Sequence, residues 1–234
     1  NSLTAPIRPL QRLPLMIHSI RIGYEDEHLL IGWKPHGLLT SGNAGKTFRS
    51  QIRKTSGIPQ IEPCHRLDFA TAGWVVFGKH RESIQAINQS FQNGQIRKRY
   101  WTICHGTMPA KMLIQLPLDG KSSITHVHSM ACGFLAQSDA LTAALIETKT
   151  GRTHQIRRHL HAAGHGVVGD DKYPWSESVY RGRGLFLCAH DLEFVHPITG
   201  EVLRINSLPS KKFKSIPWIH KVLNERALPL SSSD

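Results

Sequence analysis

LTAALIETKTGRTHQIRRHLHAAGHG, residues 141–166, changes its period half-way along. Residues 141–148 are mostly apolar or β-branched and predict a buried strand. A turn at Gly151 follows. From about His154 the apolar positions Ile156, Leu160 and Ala163 fall at i, i+4 and i+7, a single helical stripe, while Arg157 and His161 lie four apart on another face. Gly164 suits the position just past a helix C-terminus. A strand, a glycine turn and a basic helix start together make a geometry suited to binding an anion.

The flanking sequence extends this pattern in both directions. Residues 21–33 alternate in part and predict a hairpin turning at 25–27, and KPHG, 34–37, reads as a turn. GWVVFG, 73–78, is a short buried strand. Residues 81–91 place Ile84, Ile87 and Phe91 on one helical face, with Gly94 as a stop. Residues 100–104 form another strand, and LFLCA (185–189), LEFV (192–195) and EVLRI (201–205) form three more, with His-Pro and Thr-Gly turns between them. Strands outnumber helices and adjoin one another. The expected class is therefore α+β, with a mixed, mostly antiparallel central sheet and flanking helices. The expected organisation is an N-terminal arm over 1–20, one domain over 21–210 and a C-terminal tail over 211–234, with a short helix near 216–226. Arg8, Arg12 and Arg21 without an acid echo a transit peptide, but Pro6, Pro9 and Pro14 argue against the amphipathic helix such a peptide needs.

Charge narrows the partners. The chain of 234 residues carries 29 Lys and Arg against 17 Asp and Glu, a net charge of +12. No acid occurs between Thr148 and Gly169, or between Glu82 and Asp119, although both spans hold several basic residues. Such clustering gives a basic face, and a polyanion, above all a nucleic acid, is the partner it fits. No run approaches the roughly eighteen apolar residues of a membrane helix, so no membrane role is expected. The four cysteines lie far apart with no CxxC, which gives neither a disulfide framework nor a common zinc motif and fits a reducing, cytoplasmic setting. His154, His159, His161 and His165 crowd together, but no Cys or acid joins them, so they read as surface and core histidines and no metal is expected.

No GxxxxGK[ST], GxGxxG or GxSxG occurs, so nothing points to ATP, a dinucleotide or a serine hydrolase. An enzyme of this composition would work without a cofactor, using side chains as nucleophile, acid and base. In CHRLDFATAG, 64–73, a lone carboxylate, Asp68, stands in strongly basic surroundings. It could be a turn aspartate, a helix cap or a covalent nucleophile.

HRLDFATAG resembles the HRLDxxTSG motif of the RluA-type RNA pseudouridine synthases, and further resemblances follow in order. LLIGWKPHGLL, 29–39, is similar to the early NKPxG motif, and QIRKRYWTICHG, 95–106, to the KxY strand. ETKTGRTHQIRRHLHAAGHGVVGDDKY, 147–173, resembles ETGRTHQIRxHxxxxGxPxxGDxxY. LFLCAHDLEFVHPITGE, 185–201, resembles LHAxxLxFxHPxTGE. The resemblance runs from about residue 22 to 206. The departures are Trp33 for the usual Asn before KP, Ala72 for Ser in TSG, and CAH at 188–190 where LHA is common. The S4-type RNA-binding domain common in this family is not expected in the few residues before the first motif.

The resemblance implies cofactor-free isomerisation of uridine to pseudouridine in rRNA or tRNA, with the enzyme expected to act as a monomer. Asp68 matches the catalytic aspartate, attacking either C1′ of the ribose or C6 of the base. Arg157 matches the arginine paired with it, where a cation would keep the carboxylate ionised and oriented. Tyr100 matches the tyrosine that stacks on uracil and can take the C5 proton. Ile156 matches the apolar wall of the uracil pocket, and Arg66 the arginine that fills the stack vacated by a flipped base. Lys98, Arg99, Arg152 and Arg158 are expected to contact phosphates. Without the resemblance, Arg157 reads equally as a phosphate contact and Tyr100 as a core aromatic. Two rival functions stand beside the synthase reading: a catalytically silent RNA-binding protein on the same fold, and a DNA- or RNA-processing metal enzyme using the histidine cluster.

Overall fold

One sheet carries every strand of the computed structural model, which describes residues 15–17, 20–43, 45–134, 140–175, 184–209, 211–216 and 218–219. Across the sheet the order is β1 (Leu15–Ile17), β2 (Ile20–Glu25), β3 (Leu29–Lys34), β5 (Ala72–Gly78), β10 (Leu187–Val195), β6 (Arg97–His105), β9 (Ala140–Thr148), β8 (Thr125–Phe134) and β7 (Lys111–Ile114). Strand β4 (Glu62–Pro63) adds to β5, and β11 (Val202–Asn206) to β10. Among the described residues only β5 and β10 pair in parallel; the other pairs are antiparallel. The class is α+β with a mixed, mostly antiparallel sheet, as the spacing of apolar runs predicts.

The centre of the sheet is covered on both sides, which explains why its strands read as continuous apolar runs. Every residue of β5 is buried. Period-two alternation divides β6 and β9 between two layers. On one side Cys104, Ala144, Ile146 and Leu187 pack beneath Ile156 and Leu160 of helix α3 (Gln155–Ala162). On the other, Trp101, Ile103, Leu145 and Cys188 meet Phe213, Ile216 and Ile219, which follow β11 in and just beyond a 3-10 turn (Lys211–Ser215). Of the helix expected near 216–226, only 216, 218 and 219 fall within the described residues.

Two helices lie earlier in the chain. Helix α2 (Arg81–Gln92) buries Ile87 and is followed by Gly94 at φ 68°, as the sequence predicts. Helix α1 (Phe48–Ser56) goes beyond the sequence reading, because FRSQIRKTS offers only two apolar anchors. Phe48 and Ile52, four apart, are both buried, and a capping box at Thr47 supplies the start that hydrophobic periodicity does not announce.

The expectation of separate strands at 185–189 and 192–195 is corrected. They form a single strand, β10, whose register against β6 steps from Ala189↔Tyr100 to Asp191↔Arg99. His190 is the extra residue of a bulge, so the strand bends without ending, and the His190 carbonyl accepts from the Ser207 N–H at 3.0 Å.

Two of the departures are sheet neighbours, since Ala72 lies opposite Cys188 in the parallel pair. The next pair, Gly73 and Ala189, approaches so closely that a Cβ on Gly73 would collide with the Ala189 carbonyl oxygen. Only glycine fits there. At Trp33, the indole packs edge-on to Trp74 with ring centroids 5.0 Å apart, and the Arg21 guanidinium lies over both rings.

One row across four strands positions the site. Gly73, Ala189, Tyr100 and Ile146 are successive partners from β5 through β10 and β6 to β9. The turn carrying Asp68 feeds into this row at one end.

Candidate active site

The backbone on either side of Asp68 is fastened to the loop that follows β3. Thr40 Oγ1 donates to the Leu67 carbonyl at 3.0 Å and accepts from the Leu67 N–H at 3.1 Å. On the far side, the Phe69 carbonyl accepts from the Gly37 N–H at 2.8 Å and from Lys34 Nζ at 3.4 Å. Lys34 is fully buried and also donates to the carbonyls of Leu38 at 2.6 Å and Pro35 at 3.0 Å. Burial pulls its ammonium down to about 8, with the Asp68 charge acting in the opposite direction. The KPHG turn is thus a clamp, and Gly37, at φ 72°, gives it the left-handed bend it needs. The Asp68 carbonyl closes its own turn by accepting from the Thr71 N–H at 3.0 Å. His65 has a structural part. Its Nε2 accepts from the Val76 N–H at 3.1 Å, and burial pushes the ring down to about 3, so it stays neutral.

Helix α3 brings the cation. Its start is held by Gln155, whose amide donates to the Ile124 carbonyl at 2.9 Å and to Thr125 Oγ1 at 3.0 Å. Gln155 Oε1 accepts from Thr150 Oγ1 at 2.7 Å and from the Arg152 N–H at 3.1 Å. Two residues further on, the buried Arg157 reaches two carboxylates. Its Nε and Nη2 donate to Asp170 at 2.7 and 2.6 Å, while Nη1 lies 3.8 Å from Asp68 Oδ2. The expected pairing with Asp68 is present as an ion-pair contact, but the strong bidentate bond goes to Asp170. Burial lowers the Arg157 guanidinium, and the hydrogen bonds and charge of Asp170, followed by the charge of Asp68, more than offset this and raise it.

Sequence reasoning gives no role to Asp170, Tyr173 or His154, although GDxxY and RTHQIR contain them. Asp170 Oδ1 also accepts the N–H groups of Lys172 and Tyr173, each at 3.0 Å. The Tyr173 ring lies 5.3 Å from the Arg157 guanidinium carbon. Its hydroxyl is 3.1 Å from His154 Nδ1, and His154 Nε2 is 3.8 Å from Asp68 Oδ1.

Tyr100 and Ile156 form the apolar side. Tyr100 packs with the cluster around Ile156, which is 6% exposed. Burial, and then the nearby Asp68 charge, push the Tyr100 phenol up to about 12, while a hydrogen bond from Thr148 works against them. A neutral phenol close enough to feel the Asp68 charge therefore lies in the apolar cluster that holds Ile156.

The basic residues divide by surroundings. Arg66 is exposed and makes no ion pair with any described residue. Arg152 is exposed, with Nε donating to the Ser122 carbonyl at 3.3 Å. Lys98 lies over the Phe91 ring at 5.6 Å, and burial lowers its ammonium. Arg158 forks onto Asp119 at 2.9 and 3.1 Å. Arg99, also expected to contact a phosphate, is engaged within the protein. It is 9% exposed and stands 3.2 Å from Asp191 and 3.1 Å from Glu193. Asp191 is wholly buried and sits directly across the sheet, where Arg99, Arg204 at 3.7 Å and the Asn206 amide at 2.8 Å share its charge.

The crowded histidines have separate partners. His159 Nε2 lies 3.0 Å from Ser123 Oγ and 2.9 Å from the Leu116 carbonyl, and His165 Nδ1 lies 3.0 Å from the His105 carbonyl. Among the described residues, no three His, Cys, Asp or Glu side chains converge as a metal site would require.

Comparison with known proteins adds an independent finding. Residues 28–162 match the family model described as RNA pseudouridylate synthase. The chain is 30% identical over 204 residues to the dual-specificity RNA pseudouridine synthase RluA of Haemophilus influenzae, covering 79% of this chain and 90% of that protein. It is also 30% identical over 204 residues to the uncharacterized RNA pseudouridine synthase YhcT of Bacillus subtilis, covering 77% of this chain and 65% of that relative's length. Among solved structures, human RNA pseudouridylate synthase domain containing 1 superposes with a TM-score of 0.71 at 22% identity, covering 94% of this chain and 99% of that one. That likeness concerns the fold.

Proposed function

The chain belongs to the RluA-type RNA pseudouridine synthases, an isomerase family, and from that premise we propose that it converts uridine in rRNA or tRNA to pseudouridine with Asp68 as nucleophile and no cofactor. The observation that carries this reading is the setting of Asp68. Its turn is clamped on both sides, its two oxygens face Arg157 and His154 at 3.8 Å each, and Tyr100, which feels its charge, packs in the cluster of Ile156. At that distance neither contact is a hydrogen bond, so the carboxylate oxygens stay available to a substrate atom.

In this reading the target nucleotide leaves its stack and enters the pocket, and Arg66 takes the vacated place. The uracil stacks on Tyr100, a contact worth about 1–3 kcal/mol by analogy with other base–aromatic pairs. If Asp68 bonds to C1′, the N1–C1′ bond breaks with its electron pair going to the uracil, the base turns, and C5 bonds to C1′ as the Asp68–C1′ bond breaks. If Asp68 adds to C6 instead, the N1–C1′ bond breaks, the base turns, C5 bonds to C1′, and the Asp68–C6 bond is released last. In either route N1 gains a proton to match the one lost at C5. The C5 proton is then removed, with the Tyr100 oxygen as the nearby acceptor. A phenol held up at about 12 gives up its own proton with difficulty, so it would accept through concerted transfer onward rather than as a standing phenolate. Lys98, Arg152 and Arg158 contact phosphates. The enzyme acts as a monomer in a reducing, cytoplasmic compartment, the setting that the cysteine spacing favours.

The test is tritium release from RNA carrying 5-tritiated uridine. Asp68→Asn should abolish release while RNA affinity stays within a few-fold of the parent. Release at the parental rate would remove Asp68 from the mechanism. Intact binding without release in the parent protein itself would favour the silent RNA-binding alternative.

A further inference from the structure

His154 has a left-handed backbone, φ 54° and ψ 27°, one of only two non-glycine residues with positive φ among those described. That conformation costs free energy in any residue with a side chain, and such strain gathers at functional sites. His154 opens helix α3 but makes no side-chain cap, so the strain is not explained by capping. It instead accompanies an imidazole held between two groups. Nδ1 lies 3.1 Å from the Tyr173 hydroxyl, and Nε2 lies 3.8 Å from Asp68 Oδ1.

We propose that His154 is a positioning residue for the Asp68 carboxylate, with Tyr173 selecting the imidazole tautomer that does the positioning. The inference rests on the reading of Asp68 as nucleophile. A neutral imidazole carries one N–H, on either nitrogen. If the proton sat on Nδ1, the Nε2 lone pair would face an anionic oxygen, which is repulsive. If the Tyr173 hydroxyl donates to Nδ1, the proton sits on Nε2 and points at Asp68. Burial, acting first, lowers the proton affinity of the ring, and the charges of Arg157 and Lys172 act the same way against those of Asp68 and Asp170, so the ring stays neutral near pH 7. Oδ1 thus faces a neutral donor and Oδ2 faces the Arg157 cation, which fixes the plane of the carboxylate from both edges. Arg157 is committed to Asp170, and the Tyr173 ring that packs on Arg157 is the same one that bonds His154. Both supports of Asp68 therefore derive from the 170–173 turn.

The test measures single-turnover tritium release and RNA affinity separately. His154→Ala should slow turnover about tenfold to a hundredfold, the scale of a misplaced reacting group, with affinity changed less than twofold. His154→Gly removes the imidazole but suits the left-handed backbone and should be as slow as the alanine variant. His154→Gln, which can place an amide N–H near the Nε2 position, should recover part of the loss. Tyr173→Phe keeps the ring over Arg157 and should slow turnover about threefold to tenfold, with little further effect when combined with His154→Ala. Parental turnover in His154→Ala, full activity in His154→Gly, a loss confined to affinity, or full additivity of Tyr173→Phe with His154→Ala would each overturn the proposal. Asp68→Asn run alongside separates the two readings. If it turns over, the nucleophile assignment falls; if it is inactive while His154→Ala is not, only the positioning role falls.

Discussion

Asp170 holds Arg157 through two hydrogen bonds of 2.7 and 2.6 Å, from a side chain only 1% exposed. The residue facing Asp68 is therefore aimed by a second, deeper carboxylate. Asp170→Asn would leave the buried guanidinium with only the more distant Asp68 carboxylate as counter-charge. We expect a loss of about 3–5 kcal/mol in unfolding free energy, measured by urea denaturation, with turnover reduced in the protein that remains folded. An unchanged urea midpoint would mean that Asp170 is dispensable to the fold.

Arg157 and Arg158 are adjacent, and only one faces Asp68. Arg157→Ala should reduce turnover by two orders of magnitude or more, a loss that extra salt or RNA does not repair, while Arg158→Ala should cost only a few-fold through RNA affinity. Similar mild losses in both, each offset at low ionic strength, would reduce Arg157 to a phosphate contact.

The basic residues can be sorted by salt dependence. Arg152→Ala should lower the slope of log K against log salt by about one and leave stability unchanged. Arg99→Ala should do the reverse: no change in slope for the folded protein, and a marked loss of stability because the buried Asp191 keeps only Asn206 at 2.8 Å and the more distant Arg204 at 3.7 Å. Filter-binding titrations at several salt concentrations, paired with thermal melts, separate the two.

Lys34 gives the fold a pH signature. Its ammonium falls from the ordinary lysine value of 10.5 to about 8 in the folded protein. Between those values the unfolded chain binds more protons than the folded one, so the Lys34 contribution to stability rises with pH across that window. Relative to Lys34→Met, the parent should gain on the order of 3 kcal/mol from pH 8 to 10.5, read from urea unfolding at each pH. A constant difference would place the ammonium in water. Turnover of Lys34→Met should fall as well, since the Phe69 carbonyl loses a donor.

Much of the sheet is legible in the sequence, because β5, β6 and β9 are apolar runs bounded by glycine or charge. Strands β7 and β8 are not. Their exposed outer residues dilute the alternation, and pairing with β9, rather than their own composition, makes them strands. Helix α1 escapes because two anchors and a cap do the work of a full stripe. The site is legible to the extent that its residues lie in compact motifs: Asp68, Tyr100, Ile156 and Arg157 converge. The choice of Arg157 between Asp68 and Asp170 depends on distances that no linear spacing encodes. Arg99 misleads for a related reason, because its counter-charge, Asp191, comes from a strand formed far along the chain.

The order of strands has a consequence for synthesis. Strand β10 lies between β5 and β6, so the strand that follows the Asp68 turn and the strand bearing Tyr100 are joined in the sheet only through residues 187–195. A nascent chain that has just passed Tyr173 already contains every residue assigned to the chemistry, yet the strand that joins the two halves is missing. A ribosome-bound fragment that ends short of residue 187 therefore holds Asp68, Tyr100 and Arg157 without the strand that links β5 to β6.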